Sequence, residues 1–494
     1  MRRLVVLLAV MALAGCGAHS DQSLSPLDDA VGYFSKDAPF VAAIDTDPDG
    51  PQIKQLQALA GRFPGAAILG SRLRTLTRFH NASWDRDVKP QLGAPLVIGL
   101  LRPAAGSAIP TAIVAAVRVQ HPLRAKQTLL REPAFRGGSK SSGVRIYDDP
   151  TDKRYVAVDG DTVVAATDRG ILEQALAIKR SDNRMHASGF MRDLGGLPTG
   201  GLVRISADPR ALLGADPRLR PALTVKWLGS LRRFGAVVKA VPSGVTLDFH
   251  VANDRGALAD ADLPLSPKPR AIPLIGKRGE VQVGIAEPSR LAHLAFQVAN
   301  TIAPKRMALL RALEPHGIDL ERQVEHHLAK LLLFSFDPRS RAFALRADLN
   351  ESGDVRSALT QLAPALPGVA ALFGMPGLGV ATPEAGESFY ALAKPNGRTA
   401  VFGVVGRALV AASEARRAAD LPSEPTHIAP AAKPAAAVVT LNARELAAKL
   451  IADQLGGPAA LLAPLAVASL RDLTGSMTIS RSGLDGHFKL TIVK

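Results

Sequence analysis

Cysteine is nearly missing from this chain of 494 residues: there is one, Cys16. A disulfide framework is therefore excluded, and stability has to come from packing. Aromatic residues are also few, at 4% with two Trp and four Tyr. That composition argues against stacking platforms for nucleic-acid bases or sugar rings. Beyond the N-terminus, no stretch offers the roughly 18 uninterrupted apolar residues that a spanning helix needs. The nearest, residues 458–470, is short and broken by Pro464. Nor is there a run of five basic residues. Arg232-Arg233 and Arg416-Arg417 are pairs, so the net charge of +16 is spread along the chain rather than gathered into a nucleic-acid arm. The sequence motifs H-E-x-x-H, G-x-S-x-G and the phosphate-binding P-loop do not occur.

What is present begins at the N-terminus. Arg2 and Arg3 precede an apolar run over residues 4–13, which ends in Leu13-Ala14-Gly15-Cys16. A basic start, a short apolar segment and small residues before a cut site make a secretory signal. Cysteine directly after the cut makes it a lipobox, because the thiol takes a diacylglycerol as a thioether. The reading is a signal peptide over residues 1–15, lipidation at Cys16, and lipobox residues Leu13, Ala14 and Gly15. Residues 16–29 are then a flexible tether of small and polar residues. Two or more acyl chains hold a protein stably at a membrane. The expected location is therefore the extracytoplasmic face of the cell membrane, anchored but not spanning. Cleavage leaves 479 residues, removes Arg2 and Arg3 and brings the net charge to +14. That length suggests two or more domains, and 47% apolar content supplies their cores.

The strongest internal signal is a long-period repeat. Residues 228–251, LGSLRRFGAVVKAVPSGVTLDFHV, align without gaps on residues 467–490, VASLRDLTGSMTISRSGLDGHFKL, at a shift of 239. The shift pairs Ser243-Gly244 with Ser482-Gly483 and Phe249 with Phe488, and each copy reads as a β-hairpin. In the same order, residues 160–168 match 406–414, and residues 88–100 match 324–336. Residues 117–130 match 345–362, and Val203-Arg204-Ile205 matches Val439-Thr440-Leu441. The expected fold class is α+β: two homologous lobes from an internal duplication, each a mainly antiparallel sheet with packed helices. Lobe one is placed at 30–253, a Pro- and Asp-rich hinge-like linker at 254–269, and lobe two at 270–494. In lobe one the pattern predicts strands over 40–45, 96–101, 112–119, 144–147, 154–158, 162–166 and 202–206. Helices are predicted over 53–79, bent near Pro64, and over 122–130, 169–178, 189–194 and 209–228, ahead of the closing hairpin.

A few groups have the residue types of chemical sites. Asp45-Thr46-Asp47-Pro48-Asp49-Gly50 opens like a calcium loop, but its twelfth position is Leu56 instead of a bidentate Glu. It reads as a turn capping the helix that follows. His326-His327 follow Glu325 on a predicted helix, where neighbours point about 100° apart, so the two do not share a metal. The acid pairs Asp148-Asp149 and Asp85/Asp87 fall in turns or helix starts, where capping accounts for them. In the repeat, Asp87 faces Gln323. The segment GMPGLG at 374–379 lacks dinucleotide-loop spacing and reads as a loop, and Asn81-Ala82-Ser83 is a formal glycosylation acceptor only. No catalytic residue, cofactor or metal is expected.

Several phrases resemble a known family. They are FSKDAPFVAAIDTD at 34–47, Gly143-Val144-Arg145-Ile146-Tyr147, Val156-Ala157-Val158, Gly160-Asp161 with VVAATD, and Ser188-Gly189-Phe190-Met191-Arg192-Asp193 with Leu197-Pro198. They are similar to a family of secreted and lipid-anchored proteins from high-GC Gram-positive bacteria and cyanobacteria, catalogued only as a domain of unknown function. The resemblance implies an extracytoplasmic, non-enzymatic protein. The functional expectation is a binding or scaffold module of the envelope. A carrier or sensor of an apolar ligand such as a lipid is the alternative, and an envelope hydrolase comes third. The expected partners are the membrane, through the lipid on Cys16, and an envelope polymer, lipid or protein; nucleic acid is excluded.

Overall fold

A computed structural model describes residues 25–63, 89–102, 112–131, 136–149, 154–254, 256, 258–277, 279–311, 319–328, 330–368, 379–381, 389–393, 399–428, 433–448 and 467–493. Cys16, the lipobox, Asn81, Asp85, Asp87 and the GMPGLG segment up to Leu378 lie outside these residues. The described chain is a mixed α+β structure built on one large antiparallel sheet.

Ten strands come from the first half. They are β1 (Phe40–Ile44), β2 (Leu96–Leu100), β3 (Ile113–Arg118), β4 (Arg136–Ser141), β5 (Val144–Asp149), β6 (Arg154–Asp159), β7 (Thr162–Ala166), β8 (Val203–Ala207), β9 (Leu231–Val241) and β10 (Gly244–Asn253). Their pairings run β4-β5-β6-β7-β3-β2-β1-β8-β9-β10, all antiparallel. The second half gives β11 (Pro273–Leu274) and β12 (Val281–Ala286), then β13 (Leu331–Phe336), β14 (Phe343–Asp348), β15 (Gly379–Ala381), β16 (Phe389–Ala393), β17 (Thr399–Val405) and β18 (Ala408–Ala412). It ends with β19 (His427–Ile428), β20 (Ala437–Asn442), β21 (Leu470–Ser480) and β22 (Gly483–Ile492). Leaving aside the small β11/β19 ladder, these pair as β15-β16-β17-β18-β14-β13-β12-β20-β21-β22. The order of connection is the same in both sets. The turns Gly160 and Gly406, before β7 and β18, both hold φ +59°.

The two sets meet where β10 pairs antiparallel with β22, from Gly244↔Thr491 to Ala252↔Gly483. Asp248 stands opposite His487, the residue that a shift of 239 assigns to it. Side chains at alternate positions of a strand point to opposite faces, and the seam uses both. On one face His487 Nδ1 lies 2.6 Å from Asp248 Oδ1, and His250 Nδ1 lies 2.7 Å from Asp485 Oδ1. On the other, Phe234, Phe249 and Phe488 stack with centroids 5.9 and 6.0 Å apart. Gly486 and Gly475 stand opposite Phe249 and Phe488, and a Cβ on either would meet the ring at 2.1 or 2.4 Å. An aromatic ring lying over a cross-strand glycine restores the contact that the glycine lacks.

The helices of the first half are α1 (Ser25–Val31), α2 (Pro51–Ala60), α3 (Pro122–Arg131), α4 (Arg169–Lys179), α5 (Ala187–Asp193), α6 (Pro209–Ala215) and α7 (Lys226–Gly229). The main core lies between the sheet and α1, α4 and α5. Leu27, Val31 and Phe34 pack there with Val97, Val114 and Val164, and with Leu172, Leu176 and Phe190. Burying each such side chain contributes about 1.5–3 kcal/mol. Asp168 caps α4 by accepting from Ile171 N, which satisfies one of the free N–H groups of the first turn. In the second half come α8 (Pro288–Ile302), α9 (Pro304–Arg311), α10 (Leu320–His327), α11 (Ser352–Leu362) and α12 (Ala415–Asp420).

Some expectations need correction. The tether was drawn to residue 29, yet residues 25–29 lie in α1, where Leu27 is buried in the core. The connector 254–269 is not an open hinge, because Leu258, Leu263 and Leu265 are buried beside Ala437 and Ile479. The helix expected over 209–228 is broken into α6, a 3-10 turn (Arg220–Thr224) and α7. Asp216 takes an extended ψ of 116° ahead of Pro217, as a residue before proline prefers. Strand β4, RGGSKS, carries no apolar alternation and was not expected. The helix predicted over 53–79 instead ends at Ala60: Gly61 is its C-cap and residues 61–63 form a turn, while Pro64 lies outside the described residues.

Gly244 opens β10 at φ +149°, and a Cβ there would lie 1.9 Å from Leu490 O of the facing strand. Gly244→Ala is expected to destabilise the folded chain by about 2–4 kcal/mol. Urea unfolding followed by circular dichroism measures it.

Candidate functional site

The sequence groups resolve first. Asp45 Oδ1 accepts from Asp47 N at 2.9 Å, and Asp47 Oδ1 accepts from Asp49 N at 3.0 Å. Those carboxylates serve two successive Asx turns leading into α2, so the segment is a turn as expected, but the N-cap of the helix is Gly50 and no side chain caps it. Asp149 is buried in an ion pair with Arg154. Arg417 donates to Glu280 Oε2 at 3.0 Å and to Ser335 Oγ at 2.9 Å, and Arg233 lies 3.4 Å from Asp193. Arg232 is paired with Asp254. These basic residues hold the fold together. They do not form a patch.

The remaining cluster is built by the helices between β12 and β13. Helix α8 begins after Glu287, whose backbone sits in the left-handed region at φ 50°, ψ 59° ahead of Pro288. Burial alone would push the Glu287 carboxyl up. Hydrogen bonds from Arg290 (2.6 Å) and Ser266, with the charges of Arg290 and Arg270, outweigh it and hold the group below its ordinary value. Helix α8 packs against α10. The second helix is capped by Asp319, whose side chain accepts from Arg322 N at 2.9 Å.

Glu321 and Glu325 are four residues apart on α10, which puts their side chains on one face. His293 of α8 meets them: His293 Nδ1 is 2.7 Å from Glu325 Oε1, and His293 Nε2 is 2.7 Å from Gln297 Nε2. The Gln297 amide can only donate to that nitrogen, so the pattern assigns the Nδ1–H tautomer, with Nδ1 donating to Glu325. One donor atom from each of His293, Glu321 and Glu325 lies within 4.8 Å of the others. Beside them a pocket of about 510 Å³ is lined by Asp319, Glu321, Arg322, Glu325 and His326. His293 and Glu325 are 41% and 29% exposed, so the group is within reach of solvent.

The sequence drew attention to His326-His327 and Glu325. The structure separates the two histidines as expected: His326 lines the pocket and His327 is buried, the rings meeting edge-on at 5.0 Å. The residue missed was His293, 28 and 32 positions before its partners. The only local signal was the Glu-x3-Glu spacing at 321 and 325. Nothing in a linear reading brings α8 to it. Cys16, Leu13, Ala14 and Gly15 lie outside the described residues, and no described helix is long and apolar enough to cross a membrane.

A family model described as "Protein of unknown function (DUF3352)" matches residues 3–199, a span that includes the phrases at 34–198 carrying the resemblance. No curated protein matches the chain. Two solved structures, titled crystal forms IV and III of TP0453, align at 7% and 8% identity. Each has a TM-score of 0.27, and they cover 45% and 47% of this chain and 80% and 82% of those chains. A likeness of that size carries no argument about fold or function.

Burial, with the charge of Asp47, pushes the Asp45 carboxyl up against the opposing pull of the Asp47 backbone hydrogen bond and Arg204. An aspartate raised in the folded state stabilises folding in its neutral form. Its contribution is lost as pH rises from the unfolded value through the folded one. Asp45→Asn keeps the acceptor oxygen and removes the charge. It is expected to raise the denaturation midpoint at pH 7, with the gain vanishing below about pH 3.9, the ordinary aspartate value.

Proposed function

We propose that this chain is a lipid-anchored protein of the bacterial envelope, held at the outer face of the membrane through Cys16, whose folded body serves as a binding or scaffold module. The observation that carries the reading is the position of α1. It begins nine residues after Cys16, a span of about 30 Å when fully extended. It is fastened into the core: Lys179 donates to Asp29 O at 2.8 Å, and Asp28 Oδ1 accepts from Ala187 N at 2.7 Å. A body tied this closely to its acyl chains works next to the bilayer. The identical pairing order of the two strand sets supports a further part of the reading, that lobes 30–253 and 270–494 arose by internal duplication.

A carrier or sensor of an apolar ligand is the second reading. It is favoured by α8, a helix of 15 residues whose only fully buried residue is Pro288, and in which Leu291 and Ile302 are 39% and 43% exposed. No catalytic step belongs to either reading.

Blocking lipoprotein processing with globomycin, or substituting Cys16→Ala, is expected to raise the apparent mass of the membrane-bound form or to release the body from it. Fractionation and mass spectrometry read both. A chain of unchanged mass that stays in the membrane fraction would sink the anchor. Native mass spectrometry of protein extracted from membranes separates the two readings. The carrier reading expects a co-purifying lipid at about one per chain, and consistently lipid-free protein favours the scaffold.

A further inference from the structure

We propose that His293, Glu321 and Glu325 together bind one divalent transition-metal ion, of which zinc fits the donor set best. The inference stands apart from the lipid anchor and depends only on the packing of α8 on α10. Three donors of the right kind converge from two helices, one imidazole nitrogen and two carboxylate oxygens, within 4.8 Å of one another. Zinc takes such donors at about 2.0–2.2 Å, which places ligands on one ion about 3–4 Å apart. Small rotations of the glutamate side chains close that gap, because Glu321 and Glu325 already share a face. Imidazole in the set favours zinc and its neighbours over calcium or magnesium, which take oxygen ligands.

The hydrogen bond between His293 Nδ1 and Glu325 Oε1 marks the place of the ion. On binding, the imidazole exchanges its Nδ1 proton for one on Nε2, so that a neutral ring offers the Nδ1 lone pair, and the Glu325 carboxylate turns to the metal beside it. Gln297, 2.7 Å from the other ring nitrogen, then turns its amide so that the oxygen accepts from Nε2–H and holds the imidazole plane, the orienting role usually taken by a second partner of a ligating histidine. Three protein ligands leave a coordination position for water or a ligand group. The pocket formed with Asp319, Arg322 and His326 opens onto it. Sites with three protein ligands and an open position are those at which zinc meets a further molecule, whereas purely structural sites are closed by four. The module would thus present a metal-dependent contact point on its helical face.

The test uses the full chain stripped with a chelator, then dialysed against zinc and assayed by elemental analysis, with cobalt as a visible-absorption probe of the ligand set. The expected result is one zinc per chain and a cobalt spectrum typical of mixed nitrogen and oxygen ligands. His293→Ala and Glu325→Gln should each weaken binding by about ten-fold or more. Glu321→Gln, nearly the same in shape, should do so with an unchanged melting temperature in the metal-free state, which guards against a loss caused by misfolding. His326→Ala should bind as the parent does. Failure of the parent chain to take up zinc, or equal uptake by the parent and by the folded Glu321→Gln and His293→Ala variants, would overturn the assignment.

Discussion

The structure depends on the pairing of β10 with β22. Each set of strands would otherwise end in a long exposed edge, with unpaired N–H and C=O groups open to any passing strand. The antiparallel seam satisfies the two edges against each other. Because its register puts Asp248 opposite His487, the same hairpin serves on both sides of the contact. Its two faces are secured differently, by histidine–aspartate pairs on one and by phenylalanine rings laid over glycines on the other. A slip of one residue would move every ring to the charged face, so the register is firmly set.

From that seam outward, the two halves differ in how they cover their sheets. In the first, α1, α4 and α5 are sunk in a continuous apolar core, so the first described helix is also part of the most buried region. In the second, α8 and α10 lie between β12 and β13 and carry half-exposed side chains. A half-exposed helical face burdens stability unless something uses it, and this one brings a histidine and two glutamates together beside a pocket. The body thus joins a half with tightly buried helices to one whose helices present chemistry to solvent.

Much of this could be read in the linear sequence. Short runs of Val, Ala, Leu and Ile located β1, β2, β3 and β7, because the strand preference of such runs is local. The Ser-Gly turns at 243–244 and 482–483 located both long hairpins, and aligning Phe249 with Phe488 anticipated residues that turn out to stack. The Asp- and Gly-rich composition of residues 45–50 located a turn, because Asx hydrogen bonds form between near neighbours. Local reading failed where long-range contact decides. Strand β4 is polar and is held by its pairing with β5 and by a hydrogen bond from Arg169 to Ser139. The helix over 209–228 gave way at Pro217 and Pro221, and the leucines of the connector found a core that composition could not reveal.

The sequence by itself determined the elements that depend on neighbours along the chain: the short apolar strands and the tight turns between them, such as Ser243-Gly244 and Ser482-Gly483. These follow from side-chain periodicity and from backbone preferences. Only the tertiary structure decided that the two hairpins pair with each other and that His293 meets Glu321 and Glu325. Both contacts join positions far apart in the chain. Their geometry comes from burial across the whole sheet and from the packing of one helix on another, which no local pattern encodes.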